Sequence, residues 1–178
     1  MAEEELVSEN SLRQVKIVLC GHSGSGKTNF SLRLMHNHFK EDTYPTVGAS
    51  FMLKNISIDD IEFKIIMIDI AGDERYKSLV KMYNRDSSAT VFMYDSTNEL
   101  GVDGTLDLFK YVFSDNTPDK PIFVVGNKSD IPSNAVAVEK AQNFCQENGF
   151  KHFLSSAKTG ENVENIVKEI MKVSLGVD

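Results

Sequence analysis

Short apolar runs alternate with longer amphipathic stretches along this chain of 178 residues. Val15-Lys16-Ile17-Val18-Leu19-Cys20 is apolar and rich in β-branched residues, so it reads as a buried strand. Similar runs predict strands over 14–20, 50–58, 61–69, 88–95, 121–126 and 151–154. Helices are predicted over 27–38, 75–86, 102–115, 136–148 and 162–174. Asp59-Asp60 reads as a tight hairpin turn, which makes the second and third strands antiparallel. The other strands are separated by helices, which implies parallel pairing through right-handed crossovers. The pattern therefore predicts an α/β fold: a six-stranded, mostly parallel sheet with one antiparallel strand and helices on both faces. Residues 1–11 are polar and acidic and read as a flexible arm; 12–175 form one domain, and 176–178 are the C-terminal end.

Composition narrows the class. Hydrophobic residues make up 41% and charged residues 25%, the balance of an ordinary globular domain with a sizeable core. A net charge of −7 argues against a general nucleic-acid binder. Cys20 and Cys145 are expected to be buried thiols, with no disulfide scaffold or zinc site, which fits a reducing cytosolic setting. His22, His36, His38 and His152 are too scattered for a metal site. No apolar stretch approaches a membrane span, and Met1-Ala2-Glu3-Glu4-Glu5 is neither a signal peptide nor a myristoylation site.

The candidate chemistry falls just after the strands, where ligands of such sheets sit. Gly21 to Thr28 read Gly-His-Ser-Gly-Ser-Gly-Lys-Thr, a full match to the phosphate-binding pattern G-x-x-x-x-G-K-[ST], between a strand and a helix. Gly21, Gly24 and Gly26 let the backbone curl so that its N–H groups point at phosphate oxygens, and the helix N-terminus adds partial positive charge. Lys27 supplies a cation for the outer phosphates, and the Thr28 hydroxyl suits magnesium. His22 lies in this loop and either touches the ligand or faces solvent; solvent is favoured. Asp69 ends the third strand, where it can hold magnesium, and Gly72 lets its N–H approach a terminal phosphate.

Asn127-Lys128-Ser129-Asp130 follows the fifth strand. The Asp130 carboxylate can accept the ring N–H and exocyclic amine of guanine, a donor pair adenine lacks. Lys128 can lay its stem over the base, and Asn127 can tie this loop to the phosphate loop. Backbone N–H groups of Ser155-Ser156-Ala157-Lys158 can meet the guanine carbonyl oxygen. The polar stretch 39–48 reads as a mobile loop whose Thr46 can bind magnesium and a terminal phosphate. Phe39 either packs against the base edge or closes the helix end into the core. A phosphate-loop kinase or ATPase is disfavoured, because Asn127 and Asp130 specify guanine and no second-substrate lid is visible.

These motifs, in this order over about 12–175, resemble a Ras-superfamily small GTPase, with the small G-protein fold. Thr46-Val47-Gly48-Ala49-Ser50-Phe51, Glu74-Arg75-Tyr76-Lys77-Ser78-Leu79, Met82-Tyr83-Asn84-Arg85-Asp86 and Phe92-Met93-Tyr94-Asp95-Ser96-Thr97 are similar to the Rab branch. The resemblance implies a switch that binds GTP or GDP with magnesium at Thr28, Thr46 and Asp69, and further nucleotide contacts from Ser23, Ser25, Asn29 and Tyr44. It implies catalytic roles for Lys27, Thr46, Gly72 and the residue after it. It also implies vesicle traffic, a monomer in the cytoplasm or on the cytosolic face of endomembranes, and an exchange factor, an activating protein and effectors met through 40–51 and 70–86.

Three departures stand out. Asp73 occupies the place of the family's water-positioning Gln, so intrinsic hydrolysis is expected to be slow; the alternative is a hydrolysis-deficient, nucleotide-bound scaffold. Ile68 and Ile70 stand where Trp and Thr are common, which either alters partner choice or is a neutral core change. No Cys follows Cys145, whereas Rab-type proteins usually end in a lipidated tail; a truncated chain is expected over a naturally unlipidated one.

Overall fold

Val15, Ile17 and Leu19 point to one side of the first strand and Val18 and Cys20 to the other, and all five are buried. That two-sided burial makes the strand central. The computed structural model describes residues 12–58 and 60–176. Its strands are β1 (Arg13–Cys20), β2 (Ala49–Ile58), β3 (Ile61–Ile70), β4 (Ala89–Asp95), β5 (Ile122–Asn127) and β6 (Lys151–Leu154), in spatial order β2-β3-β1-β4-β5-β6. β2 and β3 pair antiparallel, from Ala49 opposite Ile70 to Ile58 opposite Ile61. Every other pairing is parallel.

Helices α1 (Lys27–His36) and α5 (Val163–Leu175) cover one face, packing Phe30, Leu34, Ile166 and Ile170 onto it. Helices α2 (Lys77–Asn84), α3 (Glu99–Val112) and α4 (Ala135–Asn148) cover the other with Val80, Val102, Phe109 and Ala141. Each large side chain so buried contributes roughly 1.5–3 kcal/mol. No described helix is long and apolar enough to cross a membrane. Cys20 and Cys145 are buried free thiols, and burial pushes both well up, Cys145 to about 12.

Element ends differ from the sequence reading for local reasons. α1 stops at His36 rather than 38, because Asn37 turns left-handed (φ 49°) and its N–H closes on Arg33 O. α3 starts at Glu99 rather than 102: the Asn98 side chain caps it by accepting from Gly101 N at 2.8 Å. Residues 74–76 form a 3₁₀ turn before α2, which therefore begins at Lys77 rather than 75. The expected arm (1–11), Asp59 of the hairpin turn and 177–178 lie outside the described residues.

Beneath the loops on β5, Gly126 leaves room for a partly buried pair. Tyr94 Oη lies 2.9 Å from His152 Nε2, and a Cβ on Gly126 would stand 2.6 Å from that Oη. Gly126→Ala is therefore expected to destabilise the protein by about 1–3 kcal/mol, read as a lower urea midpoint. Burial also holds His152 below its ordinary 6.5. The unfolded chain then takes up its proton first, so His152 contributes stability above pH 6.5 that is lost as pH falls below it. Urea midpoints across that range should decline less in His152→Phe.

Candidate functional site

The loops after β1, β3, β5 and β6 gather at the carboxyl edge of the sheet, as parallel topology requires. Around them opens a cavity of about 650 Å³, within the range of small-ligand sites. The phosphate loop curls through left-handed glycines, with φ of 82° at Gly24 and 90° at Gly26. At Gly26 a Cβ would lie 2.2 Å from Asn127 Nδ2, so only glycine fits. Asn127 Nδ2 donates to Ser25 O at 3.0 Å, joining the β5 loop to the phosphate loop. Thr105 of α3 braces the loop from behind, accepting from His22 N at 3.1 Å. The Lys27 ammonium donates to Gly21 O and His22 O, both at 3.1 Å, and to Ser25 Oγ at 3.3 Å.

Beside it, Thr28 Oγ1 donates to Asp69 Oδ2 at 2.5 Å and lies 3.1 Å from Thr46 Oγ1. Thr46 Oγ1 also reaches Asp69 Oδ2 at 3.4 Å. Asp69 is fully buried and its Oδ1 has no partner among the described residues. Burial pushes the Asp69 carboxyl up, against the pull of Thr28 and Lys27. Burial pushes the Lys27 ammonium down, against the pull of Asp69. Two hydroxyls and a carboxylate with an orphaned oxygen fit a hard divalent cation such as magnesium. Among the described residues no group of three His, Cys, Asp or Glu is placed to hold a metal ion. Gly72 packs on this end so closely that a Cβ would lie 2.5 Å from Ser23 N. Gly48 O accepts from Ala71 N at 2.9 Å, joining the loop before β2 to the segment after β3.

At the other end, Asp130 Oδ1 accepts from Ser156 Oγ at 2.6 Å, while Oδ2 has no partner among the described residues. Lys128 is left-handed (φ 71°) and its ammonium bonds Asp95 Oδ2 at 2.6 Å. Burial raises the Asp95 carboxyl, but Lys128 and Thr97 win and hold it below the usual range. The β6 loop is clamped from α1: Arg33 Nε donates to Ala157 O at 2.9 Å and its Nη2 to Lys158 O at 2.6 Å.

The cavity brings together Ser23, Gly24, Gly26, Lys27, Thr28, Asn29, Phe39, Tyr44, Thr46, Gly72, Asp73, Asn127, Lys128, Asp130, Ala157 and Lys158. Ser25, Asp69 and Ser156 are fully buried behind its wall. Asn29 spends its side-chain amide on Lys40, donating to its O and accepting from its N. Tyr44 stands 94% exposed at the rim. Phe39 packs on the core and also lines the cavity. His22 is exposed and lies outside the cavity, its ring against Gly104. Arg33, Asp95 and Thr105 were missed by the sequence reading. Asp95 had one signal, its place at the end of a parallel strand; Arg33 and Thr105 had none.

Asp73 borders the cavity but turns to Arg75. Its carboxylate accepts from Arg75 N at 2.9 Å, Nε at 3.0 Å and Nη2 at 3.1 Å, and these bonds hold it below the usual carboxylate range. Ile68 is only 4% exposed, so it belongs to the core rather than to a docking surface; the exposed aromatic beside it is Phe51, 5.5 Å from the Tyr83 ring.

Residues 16–175 match the Ras family. The chain is 34% identical to Ras-related protein Rab5A of Oryza sativa subsp. japonica over 164 residues, covering 92% of this chain and 81% of that protein. It is equally 34% identical over 164 residues to Ras-related protein RABF2b of Arabidopsis thaliana, covering 82% of it. Ras-related protein Rab-5A of Dictyostelium discoideum is 32% identical over 166 residues, 93% of this chain and 83% of that protein.

Proposed function

This chain belongs to the Ras family and is Rab-like within it, and we propose on that footing that it is a guanine-nucleotide switch in vesicle traffic whose own GTP hydrolysis is slow. The reaction is transfer of the terminal phosphoryl group of GTP to water, giving GDP and phosphate. Lys27 offsets charge on the outer phosphates, and the backbone of 21–28 cradles them with the α1 N-terminus. Thr28, Thr46 and Asp69 would hold magnesium, whose charge would offset that developing on the phosphate oxygens. The Gly72 amide meets the terminal phosphate. The observation that carries the switch is convergence: Thr46 bonds Thr28 and Asp69, and Gly72 abuts Ser23, so two loops end on one phosphate site.

Slow hydrolysis rests on Asp73. A carboxylate has no amide N–H with which to orient water, and this one is engaged by Arg75. Regulators and effectors then act through 40–51 and 70–86, on a monomer at the cytosolic face of endomembranes, where stable attachment needs a lipidated tail. The same observation favours a second reading, a nucleotide-bound scaffold that does not cycle.

Amide hydrogen exchange separates the two. With a non-hydrolysable GTP analogue in place of GDP, a switch gains protection across 40–51 and 70–86. Equal protection in both states would leave only the scaffold.

A further inference from the structure

One charged side chain on α1 reaches the β6 loop, far from it in sequence. Arg33 Nε and Nη2 donate to the carbonyls of Ala157 and Lys158, and Nη1 donates to Asn37 O at 3.2 Å and Oδ1 at 2.9 Å. Gly160 lies over the Arg33 stem, where a Cβ would touch Cδ at 3.5 Å. The guanidinium is thus fixed from several directions, on a rigid helix.

The bonded carbonyls decide where a backbone donor points. In a trans peptide the C=O and the following N–H point opposite ways. Holding Ala157 O toward Arg33 therefore turns the Lys158 N–H away from it, at a residue that lines the cavity. The neighbouring N–H groups are spent: Ser155 on Gly126 O, Ser156 on Glu161 O, Ala157 on Asn127 Oδ1 and Thr159 on Ser156 Oγ. Lys158 N–H has no partner among the described residues. It is the one backbone donor of this loop left for a ligand, and the carbonyl oxygen at position 6 of guanine is an acceptor in need of a donor.

We propose that Arg33 is a positioning residue for base recognition: by holding the Ala157–Lys158 peptide plane, it aims the Lys158 N–H at the guanine carbonyl oxygen. Asp130 reads the donor side of the base, and Arg33, acting through the backbone, fixes the acceptor side. This rests on the guanine-nucleotide reading above.

Equilibrium competition with three diphosphates tests it. GDP is compared with 6-thio-GDP, which replaces that oxygen by the weaker acceptor sulfur, and with inosine diphosphate, which keeps the oxygen but lacks the amine facing Asp130. In the wild type, GDP should outbind 6-thio-GDP by about tenfold, the worth of one net hydrogen bond. Arg33→Ala should bring that ratio close to one and leave the GDP to inosine diphosphate ratio unchanged. Arg33→Lys, with one compact donor group for two carbonyls, should fall between and keeps the test alive if the alanine variant folds poorly. An unchanged thio ratio in both variants, or equal collapse of both ratios, would overturn the proposal, because a merely structural role weakens every ligand alike. Failure of the wild type to bind any guanine nucleotide would instead sink the underlying reading.

Discussion

Asp130→Asn is expected to weaken GDP binding by a factor of about 10²–10⁴, the largest effect of any single change in the site. The carboxylate offers two acceptors to two N–H groups of guanine. An asparagine offers one acceptor and one donor, so one guanine N–H faces an N–H, and a desolvated polar group loses its partner. Ser156 Oγ bonds Asp130 Oδ1 at 2.6 Å and can still hold the replacement, so the loop itself should survive. The same geometry predicts a gain. Xanthine carries a carbonyl where guanine carries the amine, and the new amide donor suits it. Xanthosine diphosphate should therefore outbind GDP in the variant, and GDP should outbind it in the wild type. Competition binding reads both; equal loss for the two bases would mean that Asp130 does not face the base edge.

Asp73→Gln is expected to speed single-turnover GTP hydrolysis about tenfold to a hundredfold, up to the lower end of what one positioned polar group supplies. Two changes act together. The amide brings a donor and an acceptor to the edge of the phosphate end, and a fixed negative charge leaves it. Arg75 also loses the carboxylate that now bonds its guanidinium and its backbone N–H. Arg75→Ala separates these contributions. It releases the Asp73 carboxylate from the guanidinium, though not from the backbone N–H at 75, and provides no amide, so hydrolysis should stay at the wild-type rate. If the alanine variant were as fast as the glutamine variant, the ion pair rather than the missing amide would be the brake.

Much of this was legible because strands and phosphate loops are local. Ile65-Ile66-Met67-Ile68 and Ile122-Phe123-Val124-Val125 announce buried strands through composition alone, and the glycines of 21–26 carry left-handed torsions that few other residues tolerate. What escaped depends on partners far along the chain. The Arg33 bond to Ala157 spans 124 residues, and nothing in the spacing of α1 marks it. Lys128 was legible as a base-stacking stem, but its ion pair with Asp95 needs the register of β4 beside β5. Ile68 reads as a surface position only if its neighbours leave it open, whereas it lies opposite Phe51 of β2 and within the core cluster that Val80 of α2 joins. Asp73 was legible as a missing amide, while its capture by Arg75 follows from a 3₁₀ turn that periodicity does not reveal.

A site that grips guanine nucleotide firmly and splits it poorly can be recognised from what it retains. The most direct measurement offers GTP and ATP together to nucleotide-free wild-type protein with magnesium, removes the excess, and identifies the bound nucleotide by chromatography over time. Guanine nucleotide alone should be found, remaining GTP long after the Asp73→Gln variant has converted its own to GDP. Bound adenine nucleotide, or conversion to GDP as fast as in that variant, would contradict it.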